Sequence, residues 1–237
     1  ALTVAVVAQV QASKQESAVA TAEKISEEQL KKLKGDFNNI FENKVNYLKD
    51  NNYKITKINP EKEIVYSGYQ NNDKKVSSYE LDVNIPYINI KNEQTEKYNN
   101  EIKDIFEKKA KNIINSNNIN TIYTVKYSAY VTNNILSLVI RSTLKEDSNP
   151  QRDIIQTYNY DLTNQKEYTI DDMLNEKGIT KKEANQKIKE EIKTQQEKSE
   201  ELEKLGYTTY KRDYTSDIYS INNVTEYFLG KDNALYI

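Results

Sequence analysis

Three sets of side chains in this sequence have types and spacing that suit chemistry or specific contact. Asp171 and Asp172 stand together with Glu176 one helical turn on, a grouping able to hold Ca²⁺ or to act as a carboxylate pair. Tyr207, Tyr210 and Tyr214 lie among Thr, Lys and Asp in a stretch of weak periodicity. Tyr buries a large ring while its hydroxyl stays wet, so such residues anchor protein interfaces or stack on sugars; strand packing is the plainer alternative. The third set, the charged run from Lys187 to Lys204, reads as a solvated helix face. The acids also have a simpler use, because carboxylates at a helix start are stabilised by its dipole. That capping role is the expectation for Asp171 and Asp172, with no metal site.

What is missing narrows the chemistry further. The chain has no Cys and no His, which removes disulfides, thiolate or imidazole metal sites, cysteine nucleophiles and Ser-His-Asp hydrolysis. Its 5 Gly form neither a dinucleotide fingerprint nor a phosphate-binding loop. No cofactor is therefore expected, and any enzyme would work by carboxylates alone. The 34 Lys+Arg against 36 Asp+Glu leave a net charge of -2, the wrong balance for nucleic acid. Across 237 residues, 37% are hydrophobic, enough for a core.

The elements that position these residues can be read in order. Residues 1–12 open with ALTVAVVA, an uncharged run too short to cross a bilayer, which takes about 20 residues. Val10 and Ala12 have the small-residue spacing of a signal-peptidase site. We read a signal-peptide or membrane-anchor remnant, the membrane being touched only through this segment; a buried strand is the alternative. Residues 13–25 have no large apolar side chain and read as a linker. A helix is predicted from Ser26, whose capping box with Gln29 precedes a stripe of Leu30, Leu33, Phe37, Ile40, Phe41, Val45 and Leu48. It opens a region, residues 26–78, that continues with strands at 53–58 and 63–69.

Alternation predicts a half-buried strand at 79–87, with Pro86 marking an edge or a bulge. A helix follows at 93–115, with Tyr98, Ile102, Ile105, Phe106, Ala110, Ile113 and Ile114 on its stripe. Strands at 123–131, 136–144 and 153–162 should form an antiparallel meander. Thr169 is expected to cap a short helix at 171–175, and a Thr180–Glu183 box to open a long helix at 181–205. The middle of that helix, 193–201, is polar all round and is expected to be solvated or broken. A last hairpin flanks residues 230–233. The fold class is α+β, an antiparallel β-sheet with helices packed mainly on one face.

Several stretches together resemble a known family. YELDVNIPYINI at 79–90, ILSLVI at 135–140, NYDLTNQKEYTIDDML at 159–174 and VTEYFLGKDNALYI at 224–237 carry the likeness. They look like the RsiV/PdaC-like extracytoplasmic domain, shared by the lysozyme-sensing anti-sigma-V factor and the non-catalytic N-terminal part of PdaC-type peptidoglycan deacetylase. The resemblance covers residues 79–237 and rests on structural motifs. It implies a bacterial protein outside the cytoplasm, extracellular or at the cell envelope, that is not an enzyme. It further implies lysozyme or peptidoglycan as partner. The family usually runs through one more strand than this chain does. The deacetylase that often follows the domain needs His for its metal, which this chain lacks.

Overall fold

The computed structural model describes residues 64–73, 76, 78–116 and 120–237, and the backbone of Leu2–Thr3. The linker at 13–25, the helix from Ser26 and the strand at 53–58 lie outside the described residues. The chain divides into two compact units, one made of residues 51–172 and 226–234, the other of 1–50, 173–225 and 235–237.

The first unit is built on a six-stranded sheet. Its strands, in chain order and in spatial order alike, are β2 (Val65–Asn71), β3 (Tyr79–Ile88), β4 (Thr121–Thr132), β5 (Ile135–Glu146), β6 (Arg152–Asp161) and β7 (Lys166–Glu167). The fold is α+β, as expected. The predicted meander is β4-β5-β6, with Thr121 opposite Glu146 and Leu144 opposite Arg152. Asn133 and Asn134, both at positive φ (51° and 62°), make the two-residue turn between β4 and β5, the backbone that Asn tolerates best after Gly. One pairing departs from the antiparallel expectation: β3 and β4 run parallel, Tyr79 opposite Thr121. Parallel neighbours need a crossover, and the helix α1 (residues 93–115) is that connection.

Pro86 does not make β3 an edge, because β2 and β4 flank it. The β4 ladder stops at Val83, and opposite Pro86 the β2 strand carries a bulge between Ser67 and Tyr69. The missing amide therefore falls where the ladder is already interrupted.

Asn92 caps α1, its side chain accepting the Gln94 amide at 2.9 Å. Tyr98, Ile102, Phe106 and Ala110 are buried at successive steps of four. In a regular α-helix such steps drift around the axis, since one turn takes about 3.6 residues. A single π turn at Lys103–Glu107 takes up the drift and keeps the four side chains on the sheet side. They pack against Leu81, Val83, Val125, Leu138, Ile140 and Tyr160 in one hydrophobic cluster.

Every side chain of the ILSLVI run is buried, although alternation normally leaves one face wet. Leu136, Leu138 and Ile140 belong to the cluster under α1. The opposite face is covered by residues 226–230. Leu229 N donates to Ser137 Oγ at 3.1 Å, and Asn159 Nδ2 donates to the Tyr227 carbonyl at 2.6 Å. Phe228, in β8 (Phe228–Leu229), stacks on Tyr130 with ring centres 6.3 Å apart. The Glu226 carboxylate takes the Thr157 amide at 2.5 Å and its hydroxyl at 3.0 Å.

In the second unit, β1 (Leu2–Thr3) pairs in parallel with β9 (Leu235–Tyr236). Its long helix and the segment after it form the candidate site. Among the described residues no helix is long and apolar enough to cross a membrane.

Candidate functional site

The short helix α2 (Ile170–Lys177) is followed by the long helix α3 (Lys181–Lys204). The predicted box opens α3: the Glu183 amide donates to Thr180 Oγ1 at 3.2 Å, and the Thr180 amide donates to Glu183 Oε2 at 2.8 Å. The middle of the helix corrects the sequence reading. It is unbroken, and Gln195, Gln196 and Ser199 are buried. Buried polar groups need partners, and these have them close at hand. Gln195 Nε2 donates to Glu191 Oε1 (3.1 Å), Ser199 Oγ to the Gln195 carbonyl (3.0 Å), and Gln196 Nε2 to Glu200 Oε1 (3.2 Å).

Gly206 ends α3 at φ 85°, a left-handed turn that glycine adopts without a Cβ clash, and the Tyr207 amide bonds back to the Leu202 carbonyl at 3.2 Å. The chain then returns along the helix it has just left. Thr209 Oγ1 donates to Glu203 Oε1 (2.8 Å), and the Arg212 amide to Gln196 Oε1 (2.8 Å). Nearer the helix start, the Ile221 amide donates to Asn185 Oδ1 (2.6 Å) and Lys181 Nζ to Asn222 Oδ1 (3.3 Å).

This return path divides the three predicted tyrosines. Tyr207 is half-buried at the C-terminal end of α3. Tyr214 lies against Gln186 to Lys193, at least roughly 14 Å further down the helix. Tyr210 and Tyr214 are 61% and 40% exposed, and Ile218, not singled out from the sequence, is 65% exposed. Arg212, also missed, holds its guanidinium 5.2 Å from the centre of the Tyr210 ring. Burial lowers the Arg212 pKa while Tyr219 and Tyr210 oppose that shift. The turn that presents Tyr214 is local. Asp213 Oδ1 accepts the Thr215 hydroxyl (2.5 Å) and amide (2.9 Å), and these bonds hold the Asp213 carboxyl below its usual range.

Beside Tyr214 an open groove of about 400 Å³ runs between Tyr214 and Thr215 on one side and Gln186, Lys189, Glu190 and Lys193 on the other. The walls are the Tyr ring and the methylene stems of long side chains whose charged ends reach water. The stretch read as a solvated face thus forms one wall of a recess. Sequence reasoning missed it because the opposing wall arrives from a segment without periodicity.

Of the acids at α2, Asp172 is a cap, and Asp171 stands beside it in the first turn. Asp172 Oδ2 accepts the Thr169 amide at 2.9 Å and its hydroxyl at 2.7 Å, while the Asp172 amide donates to Thr169 Oγ1 at 3.2 Å. Burial raises the Asp172 pKa, and the bonds from Thr169 more than reverse this, for a net lowering. Glu176 lies 3.6 Å from Lys177. Among the described residues no group of three or more acids converges as a metal site.

No family model matches the chain, and no curated protein does. Among solved structures, a crystal structure of a member of the DUF3298 family from Bacteroides fragilis is similar to it. The TM-score is 0.24 and the identity 16%, over 44% of this chain and 62% of that one. The likeness therefore spans less than two thirds of that structure's length. That protein is described by its family alone, a domain of unknown function, and the likeness assigns no ligand.

Proposed function

We propose that this chain is a non-catalytic binding domain working outside the cytoplasm, at the bacterial cell envelope. A protein partner docks on the ledge made by Tyr210, Arg212, Tyr214 and Ile218 along α3, with Tyr207 at its far end. The observation that carries the reading is the exposure of Tyr210, Tyr214 and Ile218 (61%, 40% and 65%) within one short segment. Aromatic rings with an adjacent Arg are the side chains that dominate interface energetics once a partner excludes water. Among the described residues the carboxyls that the fold moves all move down, Glu146 through its bonds with Lys109 and Arg152, and Asp161, Asp172, Glu183 and Asp213 through hydrogen bonds from residues two or three positions away. Groups held ionised in this way suit structure better than acid catalysis.

The resemblance in residues 79–237 makes lysozyme the first partner to test. In a sensor, a ligand that binds one of two arrangements more tightly shifts the population and exposes or shields a cleavage site near the membrane; residues 13–25 are where such cleavage would act. The groove beside Tyr214 favours a second reading, a wall-binding accessory module of an enzyme such as a polysaccharide deacetylase. A recess with an aromatic ring on one wall suits a sugar. The test is retention of the purified chain on immobilised lysozyme and, separately, on insoluble peptidoglycan. Retention on lysozyme supports the sensor, retention on the polymer the accessory module, and retention on neither removes both. Turnover of a wall fragment would replace them with an enzyme.

A further inference from the structure

The outer edge of the sheet is closed along only part of its length. β6 pairs with β5 from Arg152 to Asp161, whereas β7 covers Tyr160 and Asp161 alone. In an antiparallel ladder, alternate residues turn both backbone groups away from the neighbouring strand. Thr157 is one of these, its amide taken by Glu226. Asn159 is the next, its carbonyl accepting the Tyr168 amide and the Tyr98 hydroxyl, both at 3.0 Å. By the same alternation Asp153 and Ile155 turn N–H and C=O outward, and among the described residues neither backbone has a partner there. Ile154, between them, is 48% exposed.

We infer that this open edge, centred on Ile154, pairs with the same edge of a second copy of this chain about a two-fold axis. The register is self-complementary. With Ile154 opposite its symmetry mate, Asp153 meets Ile155 of the other copy, and both pairs exchange two backbone hydrogen bonds. The Ile154 side chains then sit side by side on one face, and Arg152 falls opposite Gln156, so no like charges face each other. A register centred on Asp153 would set the two Asp153 carboxylates against each other, and one centred on Ile155 would need the Thr157 amide, which Glu226 already holds. Pro150, which has no amide, ends the strand on the other side. An isologous contact this short makes a weak, concentration-dependent dimer.

Sedimentation equilibrium on the full chain, with amide exchange read at Asp153 and Ile155, tests this. Association should rise with concentration and slow exchange at both amides. The Ile154→Lys variant, altered at an exposed side chain, should raise the dissociation constant at least about tenfold, since Lys is a natural blocker of strand edges. A chain monomeric up to about 1 mM overturns the proposal, as does association unchanged in Ile154→Lys. Loss of association in Tyr210→Ala would move the contact to the ledge. Protection of Asp153 and Ile155 seen only when lysozyme is added would give the edge to a partner protein. Either result also overturns self-pairing.

Discussion

The side chain of Asn99 satisfies both backbone groups of Ile88. Its Oδ1 accepts the Ile88 amide at 2.7 Å, and its Nδ2 donates to the Ile88 carbonyl at 2.9 Å. The β4 ladder ends at Val83, so at this point α1 supplies what a neighbouring strand would otherwise provide. Asn99→Leu keeps the bulk but leaves two buried polar groups unpaired, at a cost of about 1–3 kcal/mol. Chemical denaturation would measure it, and an unchanged midpoint would mean that water replaces the amide.

Gly68 sits in the β2 bulge where no side chain fits. A Cβ built there would lie 2.9 Å from Cβ of Tyr87, closer than such atoms approach. Gly68→Ala should force the bulge and β3 apart and destabilise the chain by about 1–3 kcal/mol. A lower thermal midpoint is the expected result.

Asp161 ties the turn after β6, its Oδ1 accepting the Thr163 and Asn164 amides at 2.8 Å and its Oδ2 the Asn164 side chain at 2.7 Å. Burial pushes its pKa up, and these bonds bring it net below the ordinary value. A folded pKa below the unfolded one, about 3.9, stabilises fully above that pH, and the gain is lost as pH falls through the folded value. Asp161→Asn should therefore flatten the loss of stability below about pH 4. Denaturant midpoints between neutral and strongly acidic pH would show it; an unaltered slope would refute the assignment.

On the ledge, Tyr210→Ala should leave stability within about 0.5 kcal/mol, because Tyr210 is mostly exposed, and Tyr214→Ala, more than half covered, should cost no more than about 1 kcal/mol. If a partner docks there, the double variant should weaken binding at least about tenfold, measured by calorimetry against whichever ligand retains the wild type. Equal affinity would move the contact elsewhere.

The features legible beforehand are those whose causes are local. The Thr169 cap, the Thr180–Glu183 box and the alternating meander each depend on residues a few positions apart. The parallel pairing of β3 with β4 was not legible, because alternation states which face is apolar and not which strand lies alongside. The burial of Gln195 and Ser199 was hidden for a related reason: local hydrogen bonds let polar side chains turn inward, and nothing in their types announces it. At the ledge, Tyr210 and Tyr214 stood out by composition. Arg212 and Ile218 became visible only once the chain was seen to fold back on α3.

Ser137 and Leu229 are 92 residues apart yet joined by a buried hydrogen bond. The chain leaves the sheet unit after Asp172 and rejoins it at Glu226. During synthesis from the N-terminus, β4, β5 and β6 thus emerge well before the residues that shield their second face. A nascent chain must hold Ile135, Val139 and Tyr130 uncovered until residues 226–230 leave the ribosome, an interval in which chaperones have something to grip.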